Sequence, residues 1–104
     1  MQTEEEREQE IARTRIPKKG EILGVITEML GAGKLRVECE DGFTRIGRIR
    51  GKIRKRLWMR VGDIVLILPW NVQPKERADV VWRYTRTQAS WLKKKGYIKK
   101  ISFE

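Results

Sequence analysis

From residue 21 onward the apolar positions recur every second residue in short runs cut by turn residues, the periodicity of a pleated strand with one buried face. The clearest case is KLRVECE, residues 34–40, where Leu35, Val37 and Cys39 alternate with Lys34, Arg36, Glu38 and Glu40. EILGVITEML, residues 21–30, is rich in β-branched side chains and runs into Gly31-Ala32-Gly33, a loop suited to a hairpin. Asp41-Gly42 is a second hairpin signal and leads to FTRIGRIR, residues 43–50. There Ile46 and Ile49 fall out of alternation around Gly47, which marks Gly47 as a β-bulge position. DIVLILP, residues 63–69, is apolar without interruption, as a strand covered on both faces would be, and ADVVWRY, residues 78–84, makes a fifth strand.

The remaining segments carry other patterns. Ile53, Leu57 and Val61 recur at four-residue spacing, so a helical turn between strands three and four should plug the end of a barrel with them and turn Lys52, Arg54, Lys55 and Arg56 outward. After strand five, Thr85 and Gln88 stand at capping-box spacing, Trp91 and Leu92 form an apolar face, Lys93 to Lys95 suit a helix C-terminus, and Gly96 ends it. Residues 2–15, QTEEEREQEIARTR, are nearly devoid of apolar side chains and read as a flexible tail. For residues 97–104, periodicity leaves a docked strand and a mobile tail both open. The fold class expected is all-β: a five-stranded Greek-key barrel of the OB type with a short helical turn between strands 3 and 4 and a short C-terminal helix. It divides into a tail (1–16), the barrel (17–84), the helix (85–96) and a C-terminal tail (97–104).

Charge then changes the picture from a barrel to a barrel with a partner. Lys and Arg number 24 against 14 Asp and Glu, a formal +10, which attracts polyanions. The excess is concentrated: between Gly42 and Gly62 stand Arg45, Arg48, Arg50, Lys52, Arg54, Lys55, Arg56 and Arg60 with no acid among them. Arginine forks clamp phosphate and lie flat on bases, and Trp58 and Phe43 add aromatic faces nearby, so RNA is the natural counterpart. Trp58 fits a stacking platform and a plug-helix core residue equally, and Trp70 has the same two readings. Trp82, alternating with Val80 and Tyr84, reads as core; Trp91 should pack its helix onto the barrel. Cys39 continues the Leu35 and Val37 face and is core.

Other chemistries lose ground. Without histidine the commonest general base is missing, no paired acids sit in an apolar setting, and no catalytic residue is expected. A lone cysteine makes neither a disulfide nor a zinc site, and the glycines of LGAGK lack the Gly-Lys-Ser/Thr ending of a phosphate loop. Neither cofactor nor metal is expected. No apolar run reaches membrane-spanning length, and the chain opens on Glu4, Glu5 and Glu6 rather than a signal peptide. A cytoplasmic protein, monomeric in isolation and without a membrane partner, is expected.

The runs LGVITEMLGAGKLRVECEDG, RIRGKIRKRLWMRVGDIVLILPW, RADVVWRYT and WLKKKGYI, spread over residues 17–98, resemble the archaeal form of translation initiation factor 1A, a family related to the eukaryotic factor and to bacterial initiation factor 1. The resemblance implies a non-catalytic S1-like OB domain. Such a domain binds the decoding (A-site) region of small-subunit rRNA and promotes assembly of the initiation complex with initiator tRNA, mRNA and other initiation factors. Carried over, its RNA-contacting positions fall on Lys34, Arg45, Arg50, Lys52, Arg54, Lys55, Arg56 and Trp58. Arg36 and Arg48 join them from the strand pattern alone, as outward neighbours of Lys34 and Arg45. Eukaryotic members carry a basic N-terminal tail, where this chain is Glu-rich. They also carry a long acidic C-terminal tail that engages a subunit-joining GTPase factor, where this chain ends in Lys99-Lys100-Ile101-Ser102-Phe103-Glu104, which leaves that partner an open question. The rival readings are a general single-stranded RNA chaperone of cold-shock type, and an adaptor whose basic rim docks an acidic protein.

Overall fold

A computed structural model describes residues 2–50 and 59–102. Five strands, β1 (Ile22–Gly31), β2 (Lys34–Cys39), β3 (Thr44–Ile49), β4 (Ile64–Pro69) and β5 (Arg77–Arg83), close into a barrel in the order β1-β2-β3-β5-β4. All neighbours are antiparallel except β3 and β5, which run parallel. Two helices accompany them, α1 (Glu4–Ala12) and α2 (Arg86–Lys94). The five strands, the C-terminal helix and the OB-type barrel agree with the hydrophobic pattern. The helical turn expected between β3 and β4, with Ile53 and Leu57, lies outside the described residues. Val61 does not plug the barrel: it is 60% exposed, while Met59, at 8%, joins the lumen.

The core has two layers separated by the wall formed by β1 and β4. Inside the barrel, Ile26, Leu35, Val37, Val65, Ile67 and Val80 pack around Cys39 and Ala78. Outside it, Leu23, Val25, Ile64 and Leu66 point the other way and pack against Leu92 and Ala89 of α2, Tyr84, Ile98 and Ile101. DIVLILP is unbroken because both of its faces are covered, and each such side chain contributes roughly 1.5–3 kcal/mol. α2 is fixed by its cap, in which the Thr85 hydroxyl accepts from the Gln88 amide and the Gln88 side chain accepts from the Thr85 amide.

Three expectations are corrected, and the reading left open for the C-terminal residues is decided. Gly47 is not a bulge: β2 and β3 pair in continuous register through Leu35↔Gly47, and glycine stands there because a Cβ would lie 2.9 Å from Val80 Cγ2 and 3.3 Å from Leu35 Cδ1. Ladder irregularities fall instead in β1, between Ile26 and Glu28 and between Met29 and Gly31, and in β5, between the pairs Leu66↔Trp82 and Ile67↔Val80. The slip in β5 lets Val80 and Val81 both reach core layers and leaves Trp82 exposed at 39%, not in the core. Residues 4–12, read as tail, form α1, closed by a capping box between Thr3 and Glu6 with Glu4, Glu5 and Glu6 at the positive end of the helix dipole. α1 buries no residue of its own. It is held by polar bonds, Gln88 Nε2 donating to the Glu10 carbonyl and the Thr87 hydroxyl to Gln2 Oε1, each 3.1 Å. Residues 97–102 are neither strand nor loose: Ile98 and Ile101 are buried, and the Glu40 carboxylate accepts the backbone N–H groups of Lys99, Lys100 and Ile101 at 2.6, 2.7 and 3.1 Å.

Candidate nucleic-acid interface

β3 lies opposite the β1–β4 seam in the closed order, so its outer face is the one that α2 does not cover. Alternation along β2 and β3 puts Lys34, Arg36 and Arg48 on that outer face, all exposed. Lys34 and Arg48 are direct cross-strand partners, two like charges side by side, an arrangement that weakens a sheet unless an anion lies between them. Arg36 pairs with Glu28 at 3.1 Å, but both side chains are exposed, so the pair is worth little and Arg36 exchanges partners readily.

At the end of β3 two loops converge. The tight turn at Gly31-Ala32-Gly33, all three at positive φ, receives the Ile49 amide on the Gly33 carbonyl at 2.7 Å. Beside it the β4–β5 connection brings in Trp70 and Asn71, and together they frame a cleft of about 790 Å3 lined by Ala32, Arg48, Arg50, Trp70, Asn71 and Asp79. Asp79 organises this cleft. One of its oxygens accepts from the Arg50 guanidinium and the other from the Trp70 indole N–H at 3.0 Å. The Asp79 side chain is 13% exposed whereas that of Arg50 is 66% exposed, so the carboxylate is spent on orientation and the guanidinium still faces outward. The Arg77 guanidinium lies over the Trp70 ring, 5.9 Å from its centroid. Trp70 is thus half-buried with its N–H satisfied, between its two sequence readings. Asp79 and Arg77 went unnoticed in the sequence because their role depends on the parallel β3–β5 pairing, which no local pattern reports.

Arg45 does not belong to this face. It alternates inward with Gly47, is 4% exposed, and its guanidinium donates to both Asp41 oxygens at 2.9 and 2.7 Å and to the Pro74 carbonyl at 2.6 Å. These bonds hold the Asp41 carboxyl below the usual carboxylate range and tie the β2–β3 turn to the β4–β5 connection. Contact with phosphate would require breaking them. Phe43 sits at the same end of β3, remote from Arg50, with the Arg45 and Lys75 cations 5.5 and 5.3 Å from its ring centroid. Burial raises the Cys39 thiol, consistent with a core residue. Lys52, Arg54, Lys55, Arg56 and Trp58 lie outside the described residues; the chain enters that segment directly from Arg50.

The cleft and face therefore offer cations, an aromatic ring and hydrogen-bond donors. Among the described residues no cluster of three or more His, Cys, Asp or Glu is placed to hold a metal, and no helix is long and apolar enough to cross a membrane.

The family described as translation initiation factor 1A / IF-1 matches residues 8–104. The chain belongs to that family. It is 56% identical to translation initiation factor 1A of Methanothermobacter thermautotrophicus over 91 residues, covering 88% of this chain and 92% of the relative. It is 55% identical to that of Archaeoglobus fulgidus over 94 residues, covering 88% and 96%. The crystal structure of YjeQ from Thermotoga maritima matches with a TM-score of 0.53 at 24% identity, covering 64% of this chain and 23% of that one, a likeness of fold alone. Membership of the initiation factor 1A family gives the chain a role in translation initiation and identifies the resemblance read from its motifs as the family's own.

Proposed function

We propose that this initiation factor acts without catalysis, in the cytoplasm, by binding the decoding region of small-subunit rRNA with its β2–β3 face and the adjoining cleft. There it promotes assembly of the complex with initiator tRNA, mRNA and other initiation factors. Lys34, Arg36, Arg48 and Arg50 would meet phosphates together with Lys52, Arg54, Lys55, Arg56 and Trp58 of the following segment; Arg45 supports the barrel instead. The observation that carries the reading is the Lys34–Arg48 pair: two exposed cations that are direct cross-strand partners, while the carboxylate on the strand beyond Arg48, Asp79, is already bonded to Arg50 and Trp70. A phosphate between them removes the repulsion and releases counterions.

Co-sedimentation with small subunits, large subunits and an unstructured RNA oligomer, at low and physiological salt, tests it. Retention on small subunits alone at physiological salt, near one copy each, is expected. Equal binding to all three that vanishes together with salt favours the cold-shock-type chaperone. With about six phosphates met, log K against log salt should slope at roughly −4 for single-stranded contacts.

A further inference from the structure

On the opposite flank of the barrel from Arg48, α1 and α2 enclose a second cleft of about 560 Å3. Its floor is apolar, Ile11 from α1 and Trp91 from α2, and around it stand Arg7, Arg86 and Lys94 with the Ser90 hydroxyl between; its lining contains no carboxylate. The geometry follows from helical spacing. Arg7 and Ile11 share one face of α1 at i,i+4, and Arg86 and Ser90 one ridge of α2. Trp91 is held in place: it packs against the outer core layer and stacks on Tyr97 with centroids 6.3 Å apart.

We propose that this cleft is a docking groove for an acidic amphipathic segment of a partner protein, seating an apolar side chain on Ile11 and Trp91 and carboxylates on Arg7, Arg86 and Lys94. Charge complementarity sets the sign of the occupant. The floor sets its class: RNA reads an aromatic by stacking a base on an open ring face, whereas Trp91 has Tyr97 stacked on one face and shares the floor with the aliphatic Ile11. From Arg86 to Lys94 the groove runs about 12 Å, two turns of an occupying helix. Such an occupant touches both helices, so it also fixes α1, which buries no residue on its own account. This binding is separate from the rim and does not rest on the RNA reading.

The test is an NMR titration of the full chain with three probes. These are a short synthetic helical peptide with Leu at i, i+3 and i+7 among Glu and Asp, the same peptide with Ser for Leu, and a single-stranded RNA oligomer. The proposal expects saturable shifts at the Arg7, Ile11 and Arg86 amides and the Trp91 indole N–H with the Leu peptide only, and slower amide exchange through α1 in the complex. Arg7→Glu combined with Arg86→Glu, which keeps good helix formers and adds acid to the first turn of α2, should weaken the peptide tenfold or more. Lys34→Gln with Arg48→Gln should not change it. Absence of saturable shifts overturns the proposal, as does equal binding of the Ser peptide, which would leave charge alone, or RNA moving the same resonances.

Discussion

The two flanks of this barrel are built from strands of equal length with opposite fates. β4, IVLILP, divides two apolar layers, and four of its six residues are buried; β3, TRIGRI, buries only the positions facing the lumen and turns Arg48 to solvent. One wall of the barrel is thus anchored from both sides by α2 and the C-terminal segment, while the other is stabilised from inside only and is free to carry charge. The lesson is a division of labour: stability concentrated at the β1–β4 seam lets the β2–β3 face keep a repulsive cation pair that a uniformly marginal barrel could ill tolerate.

The largest test of that division is Leu92→Ala, which removes a fully buried side chain from the outer layer. It should cost roughly 3 kcal/mol in denaturant unfolding and leave RNA affinity of the folded protein unchanged; a parallel loss of affinity would mean that the flanks are coupled. Next comes Asp41→Asn, which strips the buried Arg45 guanidinium of its counter-charge at a cost of about 2 kcal/mol. The Asp41 carboxyl is lowered in the fold, so its contribution is complete above the ordinary value of 3.8 and disappears as pH falls through the lowered one. The variant should therefore lose that part of the acid limb when stability is followed against pH. Thr85→Ala, at the cap of α2, should cost about 1 kcal/mol, against a few tenths at most for Thr3→Ala, because α1 buries nothing; equal losses would show α1 to be as integral as α2. Smallest in stability is Lys34→Gln with Arg48→Gln, neutral or stabilising by a few tenths. That pair should still flatten the salt slope of RNA binding by about 1.4, measured by fluorescence anisotropy across a salt series.

What could be read in advance was what is local. Alternation in 34–40, the unbroken run at 63–69 and the Thr85–Gln88 box gave strands, a double-sided wall and a capped helix in their observed places. Arg45 misled because Ile46 and Ile49 cannot both share its phase: the run is compatible with either face inward until Gly47 is seen against Val80. Trp82 misled because the slip in β5 lies in the partner register, not in its own sequence. α1 was hidden by composition although Thr3 and Glu6 spell a capping box, a signal that outweighs polarity once α2 offers it a hydrogen-bonding neighbour. The docking of residues 97–102 depends on Glu40, some sixty positions earlier, and no window of sequence spans that distance.

The parallel ladder between β3 and β5 joins residues about thirty positions apart, Arg48 with Asp79 among them, whereas β1–β2 and β2–β3 are joined through short turns. Loop-closure entropy makes the ladder a late event in folding, and Asp79 cannot orient Arg50 and Trp70 before it forms. A half-folded chain is therefore expected to carry the cations of the proposed RNA face without the geometry that orients them, so that charge and shape arrive at different stages of folding.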